Sequence, residues 1–399
     1  MSETVRIAPA ATATLAYGPR FAALPPLSLY IHVPWCVRKC PYCDFNSHEA
    51  RGEIPEAAYV DALVADLDQA LPLVWGRRVY TIFFGGGTPS LLSAKAVETI
   101  LSAVRARVPL AVDAEITLEA NPGTFEVGKF AAYRAAGVNR LSIGIQSFDP
   151  RHLKALGRIH DAGQARRAVE IARETFDNFN LDLMYALPLQ TPDEVRADIA
   201  QALAFAPPHL SVYHLTIEPN TYFHRHPPSV PDSDAAAAMQ EIVEGMLAGA
   251  GYDHYETSAY ARSGMRSRHN LNYWTFGDYL GIGAGAHGKL SFPQRILRQA
   301  RYRQPREYME RASSGDAVQT AHEVAAKDVP AEFMMNALRL NEGFLLRLFE
   351  ERAALPLVTV LKALEEAERR GLVTRDHERV VPTELGRRFL NDLVEIFLR

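Results

Sequence analysis

From Leu27 onward, short apolar or β-branched runs alternate with stretches of helical period. LSLYIHV (27–33) reads as a buried strand, and Val60, Leu63, Leu67 and Leu71 then recur at steps of three and four, the stripe of a helix facing a sheet. VYTIFF, AEITLEA, RLSIGI, FNLDLMYALP and LSVYHLTIEP continue the strand series, with helical stretches such as FEVGKFAAYRAAG and TPDEVRADIAQALAFA between them. Gly137 stands where a helix ends, and Thr191-Pro192 opens one with a cap and a proline at the first helical position. Strand and helix in alternation predict an α/β fold whose parallel strands form a doubly wound sheet or a barrel, complete or partial. In either, ligands sit at the carboxyl ends of the strands.

The pattern changes twice further on. After about residue 225, PPSVPDSD reads as a linker, followed by a helix, added strands and the Gly-rich LNYWTFGDYLGIGAGAHGK. From 321 to the end, helix, short hairpin and helix follow in the order of a winged-helix module. The expected organisation is a flexible tail (1–26), an α/β core (27–225), a linker with accessory strands (226–320) and a winged-helix-like, α-rich unit (321–399). Winged helices often bind DNA, but 320–399 carries 12 Lys or Arg against 14 Asp or Glu, so no nucleic-acid partner is expected. The whole chain is similarly balanced, with 43 basic and 47 acidic residues. No apolar run is long enough to span a membrane, Glu3 and the prolines of the first 26 residues weigh against a transit peptide, and the odd cysteine count argues against a disulfide framework. The expected setting is a reducing cytoplasm.

All three cysteines, Cys36, Cys40 and Cys43, fall in IHVPWCVRKCPYCDFNSH, just after the first predicted strand. Pro34 and Pro41 prevent a regular helix there and let the side chains converge. A structural zinc needs four ligands, and His32 or His48 could supply the fourth; an electron-carrying 4Fe-4S cluster also takes four thiolates. Three thiolates on a 4Fe-4S cluster leave one iron without a protein ligand.

C-x3-C-x2-C with the aromatic Tyr42 before the last cysteine resembles the signature of the radical S-adenosylmethionine (SAM) superfamily. Later motifs, from Leu27 to the C-terminus, resemble its oxygen-independent coproporphyrinogen III oxidase group, and more closely the heme-chaperone branch. The resemblance implies a partial (β/α) barrel, a 4Fe-4S cluster on the three cysteines, and SAM chelated at the fourth iron, where an external electron donor allows its reductive cleavage. GGGTP (85–89) corresponds to the loop that holds the methionine part of SAM, which carries over to Gly87 and Thr88. Tyr30, Tyr42, Glu119, Gln146, Arg158, Asp182 and Thr216 are the other SAM contacts it implies. Glu119, Gln146 and Asp182 stand on or just beyond successive strands, where polar groups in apolar runs need partners.

RHNLNYW (268–274) combines an imidazole with flat aromatics, a composition suited to a porphyrin, although on chemistry alone a packed, satisfied histidine is the better reading. H-N-x-x-Y-W is a hallmark of the heme chaperones, which makes His269 the preferred heme contact, ahead of His287 and His32. The coproporphyrinogen oxidases have a fourth cysteine two residues beyond the third; Phe45 holds that place here, as in the chaperone branch. The function implied is delivery of heme to apo-hemoproteins such as respiratory cytochromes, with transient contact to a membrane-associated partner. The alternative is an enzyme that oxidatively decarboxylates coproporphyrinogen III.

Overall fold

Alternation along the strands decides which way each residue faces. On β1 (Leu27–Val33), Leu27, Leu29, Ile31 and Val33 join the main hydrophobic core, whereas Ser28, Tyr30 and His32 form the opposite face. The same division runs through β2 (Val79–Gly86), β3 (Leu110–Ala120), β4 (Arg140–Gln146), β5 (Phe179–Tyr185) and β6 (His209–His214). Ile82, Phe84, Ile116, Leu118, Leu141, Ile143, Leu181, Leu183, Leu210 and Val212 pack outward with the helices. The inner face is polar. The computed structural model describes residues 18–123 and 128–398, and within them β1 to β6 pair in parallel in chain order, a partial barrel.

The crossover helices carry the predicted signals. In α1 (Glu56–Val74), Val60, Leu63 and Leu67 are buried. Gly137 ends α3 (Phe130–Ala136) at φ 111°, a left-handed setting suited to glycine. Thr191 and Glu194 form a capping box on α5 (Pro192–Ala204). α2 (Ala94–Arg107) and α4 (Ala162–Thr175) complete the layer.

The accessory region is continuous with this sheet. After α6 (Ser233–Gly249), β7 (Asp253–Glu256) and β8 (Ala259–Ala261) extend the β6 edge in antiparallel fashion. On the other edge β9 (Asp278–Ile282) runs parallel to β1, followed by β10 (His287–Phe292), β11 (Arg295–Arg301) and β12 (Val318–Glu323). Asp66 of α1 locks this edge down: its buried carboxylate takes bonds from Arg301 (3.0 Å), Tyr308 (2.9 Å) and the Gly283 amide (3.1 Å).

Between β8 and β9, α7 (Arg268–Trp274), the RHNLNYW segment, plugs the barrel near the amino ends of its strands. Glu115 of β3 accepts from the first two amides of the helix, at 3.1 and 3.0 Å, where the unsatisfied N–H groups favour a carboxylate. Asn272 Nδ2 donates to Ser28 Oγ and to the Asp278 carbonyl, both at 2.8 Å.

The C-terminal unit has its own core, built on Phe333, Phe344, Phe349, Leu364, Val380 and Leu393. Its order is winged-helix-like: α9 (Val329–Ala337), β13 (Phe344–Leu345), α10 (Leu346–Arg352), α11 (Leu361–Arg369) and the hairpin of β14 (Val373–Arg375) and β15 (Arg379–Pro382), with β13 completing a three-stranded sheet; α8 (Pro305–Ser313) precedes it. Most of the expected flexible tail, 1–17, lies outside the described residues. Residues 18–26 are tied down instead, Arg20 to the Ala354 carbonyl (2.9 Å), Phe21 to that of Pro293 (3.0 Å), and Pro26 accepting from Asp278 (2.9 Å). A tail reading from composition misses such backbone bonds.

Candidate functional site

The cysteine loop leaves β1 at the carboxyl end of the barrel and is held by backbone on both sides. Gly87 and Thr88 donate to the Val33 and Trp35 carbonyls, both at 2.7 Å, and Ala50 to that of Cys36 at 2.9 Å. A Cβ on Gly87 would lie 2.5 Å from the Trp35 oxygen, so only glycine permits this approach. On the far side Phe223 donates to the Pro41 carbonyl (2.9 Å), and Gly157, at φ 65°, packs against the Pro41 ring.

This anchoring turns Cys36, Cys40 and Cys43 toward one cavity of about 310 Å³. Tyr42, Gly87, Thr88, Glu119, Gln146, Arg158 and Asp182 line the same cavity, so seven of the nine residues expected at SAM are brought together with the cysteines. Arg158 ties loop to barrel: its Nη1 reaches the Cys40 sulfur at 3.5 Å, while Nη2 donates to Asn121 (2.7 Å) and the Gly144 carbonyl (2.8 Å). Its buried Nε has no partner among the described residues. Gln146 sits at φ 68° after a register shift in β4, a left-handed conformation that costs a non-glycine residue about 1 kcal/mol and turns the chain at the cavity wall.

Two carboxyls share the floor. Burial raises the Glu119 pKa to about 8, helped by the nearby Asp182 charge and opposed by the Gly86 amide at 3.3 Å. Asp182 is also raised, mainly by burial, despite bonds from Asn180 (2.8 Å) and Ser142 (3.1 Å). An arriving ammonium would find Glu119 largely protonated at neutral pH and would displace that proton.

Three expectations need correction or relocation. Tyr30 lines an adjoining cavity of about 420 Å³ and bonds His32 Nδ1 at 3.0 Å. Thr216 is exposed and lines neither cavity, because β6 ends at His214; Tyr213 takes the wall position instead. His269 is 1% exposed, with Nδ1 bonded to Thr81 (2.8 Å) and Nε2 to Tyr273 (3.0 Å), and burial lowers its pKa to about 3. It is a satisfied core histidine inside the plug, with no nitrogen free for iron. The cavity wall also includes Asn121, Ser142 and Tyr213, which sequence reasoning missed; Asn121 follows Glu119 by two and Tyr213 alternates with Ser211, so strand period was the signal that could have found them.

The donor set also tests the metal. Among the described residues the group of Cys, His, Asp and Glu donors lying within 4.8 Å of one another is Asp149, His152 and Glu194, on the outer layer; the three sulfurs are more widely spread. Ligands of one tetrahedral zinc stand about 3.8 Å apart. His32 Nε2 is taken by the Asn46 carbonyl (2.8 Å) and His48 Nε2 faces that of Arg303 (3.3 Å), so neither completes a zinc site. Three separated thiols converging on one cavity, with Cys36 and Cys43 raised by burial and a guanidinium beside Cys40, suit the corners of a polynuclear cluster.

Three cysteines at the carboxyl end of a parallel partial barrel, facing a cavity floored by buried carboxyls, define a class, and comparison with known proteins agrees. The family model of the radical SAM superfamily matches residues 30–202, and that of the HemN C-terminal domain matches 324–389. "Heme chaperone HemW" of Escherichia coli (strain K12) is 52% identical over 377 residues, covering 94% of this chain and 99% of that protein. The protein of that name from Haemophilus influenzae is 46% identical, over 94% and 98%. Coproporphyrinogen III oxidase (HemN) from Escherichia coli, a solved radical SAM enzyme, superposes with a TM-score of 0.80 over 94% of this chain and 90% of its own; at 24% identity the likeness is one of fold. The chain belongs to the radical SAM superfamily and, within it, to the HemW family.

Proposed function

We propose that this protein is a heme chaperone, binding a 4Fe-4S cluster through Cys36, Cys40 and Cys43, SAM in the adjoining cavity, and heme for delivery to apo-hemoproteins such as respiratory cytochromes. The observation that carries the proposal is near-complete alignment, at 52% identity, with a protein named for that function. A cluster held by these three cysteines would supply the one electron that reductive cleavage of the SAM sulfonium requires. The chain supplies the setting: Thr88 and Gly87 brace the loop, Arg158 fixes Cys40, and Glu119 with Asp182 offers acceptors for an ammonium. Phe45, in place of a further cysteine, is 58% exposed and lines the cavities on both sides of itself. A ring there offers an apolar face to a flat ligand and neither a thiol donor nor a proton to a reaction.

The electron donor and the heme-accepting protein belong to the same proposal. No helix among the described residues is long and apolar enough to cross a membrane, so contact with a membrane-bound cytochrome would run through a partner's surface. The test pairs two assays on anaerobically reconstituted protein. Stoichiometric hemin binding and transfer to an apocytochrome, without turnover of coproporphyrinogen III in the presence of SAM and reductant, supports the chaperone reading. Catalytic formation of protoporphyrinogen overturns it.

A further inference from the structure

We infer that His287 is the iron ligand for heme, in the cleft where Phe45, Tyr273 and Tyr279 present their rings beside the cluster loop. The inference rests on the heme-chaperone reading and names the place where that cargo is held. His287 and Tyr279 belong to two adjoining cavities, of about 420 and 400 Å³, and the first shares Phe45, Gly86 and Glu119 with the cysteine-lined cavity. Heme bound there would lie against the SAM site.

Three histidines line these two cavities: His32, His287 and His322. Both nitrogens of His32 are bonded, to Tyr30 and to the Asn46 carbonyl. The His287 ring is exposed at the point where the cavities meet, and among the described residues no hydrogen bond engages it. Burial of its surroundings, then the Arg303 and Arg298 charges, lower its pKa, which keeps the imidazole neutral and able to donate a lone pair to a metal. Its position is fixed by backbone: a Cβ on Gly281 would meet the His287 carbonyl at 2.0 Å, so the GIGAGAHG turn closes tightly only with glycine there. Around it stand the three rings, suited to stacking on a macrocycle. Arg303 is exposed on the rim, with no ion pair among the described residues, where its guanidinium can take a propionate carboxylate. On this account the H-N-x-x-Y-W segment serves heme indirectly: His269 bonds the Tyr273 hydroxyl at 3.0 Å and sets that ring in the cavity wall.

The experiment is a hemin titration of anaerobically reconstituted wild type, His287→Gly, His322→Ala and Arg303→Ala, followed by absorbance and resonance Raman. Iron and sulfide content shows that each variant retains its cluster. His287→Gly should weaken hemin at least tenfold and lose the axial-imidazole signature, which added imidazole restores. Arg303→Ala should weaken binding several-fold with the signature intact. An unchanged signature and affinity in His287→Gly, or loss of the signature in His322→Ala instead, overturns the assignment while leaving the chaperone reading standing. Wild type that binds no hemin overturns both.

Discussion

Replacing Glu119 by Gln removes one proton-binding site and leaves the shape of the cavity floor. Below pH 4.5 the carboxyl is protonated folded and unfolded alike, so it has no pH-dependent effect. Between 4.5 and about 8 the unfolded chain releases the proton while the folded chain keeps it, and stability falls as pH rises; above 8 the loss is complete. At 1.36 kcal/mol per unit the deficit at pH 7.5 is at most about 4 kcal/mol, against under about 1 kcal/mol at pH 5. The carboxyl faces a cavity that water enters, which screens part of this, so about 2 kcal/mol is the working figure. The ionisable groups coupled to it are Asp182 and the hydroxyls of Tyr30, Tyr213 and Tyr273; removing an anion eases all four, with the same sign. Urea unfolding of the cluster-free protein should therefore show Glu119→Gln more stable than wild type at pH 7.5 and nearly equal at pH 5. With SAM the order reverses: wild type should gain affinity as pH rises from 6 to 8, and the variant should bind weakly without that slope. Equal stabilities at both pH values, or a pH-independent wild-type affinity, would refute the reasoning.

Gly87→Ala should fold but lose most of its iron on reconstitution, because the added carbon meets the Trp35 carbonyl and pushes the cysteine loop off its anchor; iron and sulfide analysis reads this directly. Arg158→Ala removes bonds to Cys40, Asn121 and Gly144 and should weaken SAM binding by about tenfold or more, with Arg158→Lys recovering little because an ammonium cannot span the three acceptors; equilibrium dialysis checks it. Asp66→Ala strands Arg301, whose side chain is 1% exposed, and should cost about 3–5 kcal/mol in denaturant melts with no direct loss at the cavity.

The barrel was legible because its crossover helices and strands repeat a local rule: apolar side out, caps at Thr191 and Gly137, polar residues inward. Cys36, Cys40 and Cys43 were legible by spacing, and Glu119, Gln146 and Asp182 by their places at strand ends. His269 was misread because a buried imidazole and a metal-binding one look alike in sequence; only Thr81, 188 residues away, reveals which it is. Thr216 failed for a related reason, since the residue at which β6 stops is decided by tertiary pairing with β5, which runs as far as His214. The anchoring of 18–26 is likewise made of long-range backbone bonds, which carry no side-chain signal.

The central claim is that three thiolates hold a cluster with one iron left for SAM. Electron paramagnetic resonance of the dithionite-reduced, anaerobically reconstituted protein should show a 4Fe-4S signal that shifts when SAM is added and is absent when Cys36, Cys40 or Cys43 is replaced by Ala. A signal indifferent to SAM, or a preparation with no tetranuclear centre, would contradict the account.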